Sequence, residues 1–189
     1  MEGDAARTAR ARNLQFLSGE NAMLGLTTIG IIHTAISLVA VAAGVIAFVR
    51  YKEISPRNTL GKTYVWSTVL TCLTGFFIFQ HGGFGKPHVL GIVTLLVLAL
   101  AWVAGSTKLF GRASRYIETV AYSLTFFFHM IPGFTETFTR LPVEAPVFSG
   151  PDDPTLQKVI GVVFLLFLVG ATTQVVRLRR RGMGAIPAL

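Results

Sequence analysis

Four histidines are the residues in this chain best suited to chemistry, because neutral imidazole is the commonest metal ligand in proteins. They are His33, His81, His88 and His129 of a 189-residue chain. A b-type haem in a helix bundle needs axial imidazoles from facing helices, an apolar slot, and donors for its propionates. All four histidines are therefore candidate ligands of haem b, and His33 and His129 are also candidates for a bare metal ion.

Other side chains supply the remaining parts of such a site. Lys86 and Arg140 are candidate partners for the propionates, and a Zn or Cu site built from three histidines is the competing interpretation. Met130 beside His129 favours copper slightly, although it points to a different face. A Cys-x-x-Cys-His motif is missing from the sequence, so haem would not be attached covalently. The slot would be lined by Phe76, Phe77, Phe126, Phe127 and Phe128.

A structural role for the same histidines is the alternative. A polar ring within a membrane must find a partner or water, and a Ser or Thr on a neighbouring helix serves this purpose as well as a metal does. For Glu118, which follows Arg112 and Arg115, a salt bridge or snorkelling is favoured over a proton relay. Hydrolase and transferase motifs are missing from the sequence, and a redox role stays open.

The elements that must position these residues are transmembrane helices. The chain is 52% hydrophobic and 14% charged, with a mean hydropathy of +0.60, whereas a soluble domain is about a quarter charged. The net charge is +8, but the basic residues lie in short loops and at one terminus, which is typical of membrane proteins and argues against nucleic-acid binding. Cys72 is the only cysteine, so the chain cannot form an internal disulfide.

We therefore predict an all-α polytopic membrane bundle, with a four-helix core and a fifth, peripheral C-terminal span. Residues 1–189 form one membrane domain that begins with a polar tail, 1–23, without a signal peptide. Residues 132–155 contain five prolines and are predicted to be an outer loop with a short interfacial helix near 133–141. The predicted spans lie near 24–49, 63–81, 88–107, 113–131 and 156–176.

The distribution of Lys and Arg predicts the orientation. Four lie in 50–62, three in 108–115 and four in 177–181, which share one side of a five-span protein, while six lie on the other side. The C-terminus is thus expected in the cytoplasm and the N-terminus outside, which places all four histidines in the outer half of the membrane or at its outer surface.

Polar and small residues at helical spacing predict the faces that meet inside the bundle. The stripes on spans 2 and 4 follow the same alternating steps of three and four residues. The stripes are Gly30, His33, Ser37 and Gly44 on span 1; Tyr64, Ser67, Thr71, Thr74, Ile78 and His81 on span 2; His88, Gly91, Leu95, Leu98, Trp102 and Gly105 on span 3; and Glu118, Tyr122, Thr125 and His129 on span 4.

Three features of the sequence match a known pattern: a histidine in span 1, the following Gly44 and the run Thr59–Val65. In these features the chain resembles a family of small, uncharacterised bacterial multi-pass membrane proteins, a domain of unknown function. That family usually has a His-Arg pair before the Leu-Gly-Arg/Lys motif, where this chain has Arg57 and Asn58. The resemblance implies a bacterial inner-membrane protein. The layout is also similar to that of four-helix membrane b-type cytochromes, which is an analogy of fold alone.

Three function hypotheses follow. The chain is a small haem-binding or electron-transfer protein with its site near the outer face; or a non-catalytic accessory subunit that packs in a larger membrane complex or with copies of itself; or a transporter of a small solute or of protons. Besides the lipid bilayer, the sequence identifies no partner, and it names no substrate.

Overall fold

The computed structural model describes residues 27–78, 83–107 and 109–183. Within these ranges the chain forms five α-helices and a short 3-10 turn, Gly111–Ala113, and it has no β-strand, so the all-α prediction is confirmed. The predicted tail, 1–23, lies outside the described residues. The helices are α1, Thr28–Tyr51; α2, Thr59–Gly75; α3, Lys86–Ser106; α4, Ser114–Arg140; and α5, Pro154–Met183.

Successive helices run in alternating directions and pack side by side. α1 packs on α2, α2 on α3, α3 on α4, and α4 returns to α1, while α5 packs along α4. The connections 52–58 and 107–113 and the arginines 177–181 therefore lie at the same end, which we call the basic end. Of the described helices, α1, α3 and α5 are long and apolar enough to cross a membrane, which indicates a membrane-embedded protein.

The α1–α2 connection is tighter than the predicted spans imply. Lys52 ends α1 in a left-handed conformation, with φ of 66°. Asn58 then caps α2, because its side-chain oxygen accepts a hydrogen bond from the Gly61 amide at 2.9 Å. As a result α2 begins four residues before the predicted start and ends at Gly75. His81, predicted at the end of this span, lies outside the described residues.

Helix α4 is one continuous helix where the sequence analysis expected a span and a separate interfacial helix. It passes through Pro132 and ends at Arg140, so its 27 residues extend about 40 Å. Proline removes one backbone donor and normally kinks a helix. Beyond it the helix is supported by packing, since Phe138 stacks on Phe134 at 5.7 Å and meets Phe148 of the following loop at 5.8 Å.

The predicted stripes contain less than half of the buried residues of α1–α4. The stripe on α4 is buried throughout, with Glu118, Tyr122, Thr125 and His129 all at most 8% exposed. On α3 the stripe is correct at His88 and Leu98, but Trp102 is 63% exposed and Ala101 is buried instead. The buried line therefore takes a step of three residues after Leu98, where the sequence analysis assumed a step of four.

Close approach of α1 to its neighbours depends on small residues. Ala40, Ala43 and Ala47 form the buried face of α1. At Gly44 an added Cβ would lie 2.6 Å from the ring of Phe126 and 3.1 Å from that of Tyr64. Small residues allow such backbone approach in membrane bundles, and here they let α1 contact α2 and α4 at once.

Candidate functional site

His129 of α4 and Thr68 of α2 form a buried polar contact between helices. The Nε2 atom of His129 lies 3.0 Å from the Thr68 hydroxyl oxygen. Thr68 donates its own proton to the Tyr64 carbonyl at 2.8 Å, so the hydroxyl must accept from the ring. His129 thus carries a proton on Nε2 and donates it from α4 to α2.

His33 makes the same kind of bond from α1. Its Nδ1 atom lies 3.1 Å from the Thr74 hydroxyl oxygen, and Thr74 donates to the Leu70 carbonyl at 2.8 Å. The His33 ring therefore donates from Nδ1, and in its neutral form it keeps a lone pair on Nε2. Thr68 and Thr74 are six residues apart on α2, so the two contacts are separated by about 9 Å along the helix axis.

A third bond of this type joins Tyr64 and Thr125. The two oxygens are 2.8 Å apart, and Thr125 donates to the Tyr122 carbonyl at 2.8 Å. We call the three pairs, His33–Thr74, His129–Thr68 and Tyr64–Thr125, the threonine network. Each pair ends in a backbone carbonyl, so the network in this geometry binds helices together.

The remaining predicted site residues have partners elsewhere. His88 is buried and its Nδ1 atom accepts from the Gly85 amide at 3.2 Å. Lys86 pairs with Asp152 at 2.7 Å, and Arg140 pairs with Glu136 at 2.6 Å. His33 and His129 thus share α2 as their partner, while His88, Lys86 and Arg140 are bonded separately. In the described ranges no group of three His, Cys, Asp or Glu side chains is arranged to hold a metal ion.

A second polar centre lies at the basic end. We call Glu53, Arg57, Arg115 and Glu118 the arginine–glutamate cluster. Arg57 donates to both carboxylate oxygens of Glu118, at 2.8 and 3.0 Å. Arg115 donates to Glu118 at 3.0 Å and to Glu53 at 2.5 Å. The Glu118 side chain is only 3% exposed, and these two arginines balance its charge. The bond to Glu118, together with the nearby carboxylates, raises the pKa of Arg57.

The arginine–glutamate cluster joins three parts of the chain that are distant in sequence. Arg57 lies in the α1–α2 connection and Glu118 in the first turns of α4. Gly105 of α3 lies against the carboxylate, and a Cβ there would come 2.5 Å from its oxygen. The expected salt bridge between Arg115 and Glu118 is confirmed. Arg57 was not predicted as a partner of Glu118. An arginine in an inner loop opposite a buried glutamate would have indicated this ion pair.

Gln174 is a further polar residue that the sequence analysis missed. It is buried on α5, and its amide oxygen accepts from the Ser123 hydroxyl at 2.9 Å. Its amide nitrogen donates to the Lys52 carbonyl at 3.0 Å. Helix α5 is therefore bound to α4 and to the end of α1 by one side chain. An amide side chain one turn before the arginines, in an otherwise apolar helix, would have indicated a buried polar contact.

Two surface depressions occur at the basic end. The smaller, ≈180 Å³, lies over the arginine–glutamate cluster and is bordered by Arg57, Trp102 and Tyr122. The larger, ≈520 Å³, lies on α5 beside Arg177 and Arg180. Neither is lined by a histidine. Comparison with protein-family models, curated proteins and solved structures gives no match to this chain.

The Thr68→Val substitution tests the threonine network. Valine keeps the side-chain shape but leaves the His129 N–H without its acceptor, so we expect the bundle to lose about 1–2 kcal/mol of stability. The measurement is unfolding of the purified protein in detergent, followed by circular dichroism.

Thr172→Val is the matched control. Thr172 makes the same bond within its helix, to the Leu168 carbonyl at 2.8 Å, but it is exposed. We expect this variant to unfold within about 0.5 kcal/mol of the wild type, as surface substitutions usually do. Equal losses in the two variants would mean that the contact with His129 contributes nothing.

Proposed function

We propose that all five helices cross the bilayer, as a four-helix core with α5 packed on its outside. Helix α2 is the shortest of the five, with 17 residues, yet the face that it exposes is apolar from Trp66 onward, after Lys62 near its start. Helix α4 is polar, but its polar stripe is covered by the neighbouring helices, and this is how polar residues are accommodated in membranes. The apolar part of the exposed face of α2 consists of Trp66, Leu70 and Leu73, and Phe77 follows just beyond the end of the helix.

The proposed location is the bacterial inner membrane, with the basic end in the cytoplasm. The support is the Lys and Arg distribution and the resemblance to bacterial multi-pass proteins. The N-terminus would then lie outside.

Reporter fusions test this topology. We expect a fusion after Leu189 to report the cytoplasm and a fusion within residues 142–152 to report the opposite side. Finding both reporters on one side would contradict the five-span arrangement and its orientation.

We further propose that the chain is a non-catalytic accessory subunit, which acts by packing in a membrane complex or against copies of itself. The observation that supports this most is the engagement of the candidate site residues within the chain. His33 and His129 bind threonines of α2, while Lys86 and Arg140 bind carboxylates. The two histidine bonds join neighbouring helices, and within the described ranges these side chains form no constellation directed at a substrate.

Purification from the native membrane in mild detergent tests this role. We expect the tagged full-length chain to elute in an assembly of fixed stoichiometry, either with one other membrane protein or as a homo-oligomer. The masses of the assembly and of its components would be measured by light scattering and mass spectrometry. A protein that is monomeric at its native level of expression would contradict the proposal.

Binding of a metal or haem b is the second candidate function, and one observation favours it. The Thr74 bond fixes the His33 tautomer and leaves Nε2 as the available nitrogen, as hydrogen bonds behind metal-ligating histidines do. The other residues fit haem poorly, because His129 donates from Nε2 and both proposed propionate partners, Lys86 and Arg140, already hold carboxylates. A Soret band in the purified protein that is lost in His33→Ala and kept in His129→Ala would establish this function in place of the first.

A further inference from the structure

The C-terminal half of α5 has a concentration of positive charge without neighbouring acids. Residues 154–189 contain no Asp or Glu. In the described part of the chain, Arg177, Arg180 and Arg181 form no ion pair with a carboxylate. Among the described residues, the charge on these three side chains is thus not balanced by an acid.

All three arginines line one shallow groove. It has a volume of ≈520 Å³ and is lined entirely by α5. Arg179 belongs to the same basic run but does not line the groove. The groove lining consists of Thr172, Thr173, Val176, Arg177, Arg180 and Arg181.

An exposed apolar track leads along α5 to this groove. Its residues follow steps of four and three and therefore lie on one face of the helix. Val162, Leu166 and Val169 are 56–65% exposed and Val176 is 43% exposed. The track is continued by Thr173 and ends at Arg180, one turn beyond Val176.

We infer that the α5 groove binds the phosphate headgroup of an anionic phospholipid, whose acyl chains lie along the apolar track. A free phosphate ion would match the arginines but would leave the track unused, whereas a lipid matches both. Clusters of Lys and Arg next to a transmembrane helix bind anionic lipids through this combination of charge and position. The inference requires α5 to be in the membrane and is independent of the accessory-subunit role.

The experiment is a lipid titration of the full-length protein in a neutral detergent, followed by native mass spectrometry. Phosphatidylglycerol is compared with phosphatidylcholine of the same acyl chains, and glycerol phosphate serves as the soluble headgroup. We expect phosphatidylglycerol to bind as a discrete adduct at least about tenfold more tightly than phosphatidylcholine, because each arginine near the surface increases the affinity about fivefold. We expect glycerol phosphate to form no adduct.

Two neighbouring substitutions with the same change of charge locate the site. Arg180→Gln removes a groove residue and should weaken phosphatidylglycerol binding about fivefold. Arg179→Gln is the control and should leave binding within about twofold, since a charge outside the groove contributes only its screened long-range field. Both residues are exposed, so unfolding curves should be unchanged.

Three results would overturn the inference. Equal weakening by the two substitutions would show a diffuse response to net charge. Equal binding of the two lipids would show that the arginines do not select a headgroup. A glycerol phosphate adduct as tight as that of the lipid would show a site for a soluble phosphate.

Discussion

Replacing Glu118 by Gln is expected to destabilise the protein by about 2–3 kcal/mol. Breaking a buried ion pair costs about 3–5 kcal/mol, but the side chains of Arg57 and Arg115 are 55% and 38% exposed, so water partly replaces the lost partner. A glutamine can accept from one arginine, but its NH₂ group then faces the other. For a chain of this length the loss corresponds to a fall of about 5–10 °C in the unfolding temperature.

Glu136→Gln is the matched control for this prediction. It removes the same charge from the same helix and also breaks an ion pair, with Arg140, but the Glu136 side chain is 56% exposed. Exposed pairs four residues apart contribute about 0.3–0.5 kcal/mol. Thermal unfolding in detergent should therefore separate the two variants clearly. If both lost the same small amount, the arginine–glutamate cluster would not be a stabilising centre.

Gly61→Ala is expected to have the other large effect, at least about 3 kcal/mol, the upper range for overpacking. An added Cβ would lie 3.0 Å or less from three backbone atoms of Ser55, in direct collision with its carbonyl oxygen. That carbonyl cannot simply move away, because it accepts a hydrogen bond from the Asn58 amide at 3.3 Å. The α1–α2 connection would have to open, and Arg57 would move with it.

The control for this substitution is Gly161→Ala in α5. No heavy atom lies within 4 Å of a Cβ built there, so alanine should stabilise the helix by about 0.5–1 kcal/mol. Size-exclusion profiles and unfolding temperatures of the two variants provide the comparison. A Gly61→Ala protein as stable as the wild type would show that the α1–α2 connection does not need this close contact.

The sequence predicted the all-α class and the inward stripe of α4, because both depend on periodicity within one helix. The stripe from Glu118 to His129 is an example, since a step of three or four residues is sufficient to place its members together. Pro132 shows the limit of a local rule. Proline at that position favours a helix end, but aromatic packing on both sides of Phe138 keeps the segment helical.

Partners between helices could not be predicted in the same way. Arg57 and Glu118 are separated by 61 residues, and their pairing depends on how far each helix is shifted along its axis, which hydrophobic periodicity does not record. For the same reason the sequence could not distinguish a ligand from a hydrogen-bonded histidine. The spacing of His129 along α4 is the same whether its ring binds a metal or a hydroxyl. Only the position of Thr68 on another helix determines the partner of the ring nitrogen.

The polar character of α4 has a consequence for how the protein enters the membrane. A segment containing Glu118 and His129 is a weak insertion signal by itself, since charged residues oppose release into lipid. During synthesis α1, α2 and α3 emerge first, so the surfaces that shield most of α4 already exist when it leaves the ribosome. We therefore expect α4 to leave the insertion machinery together with earlier helices, and α5 to dock afterwards through Gln174.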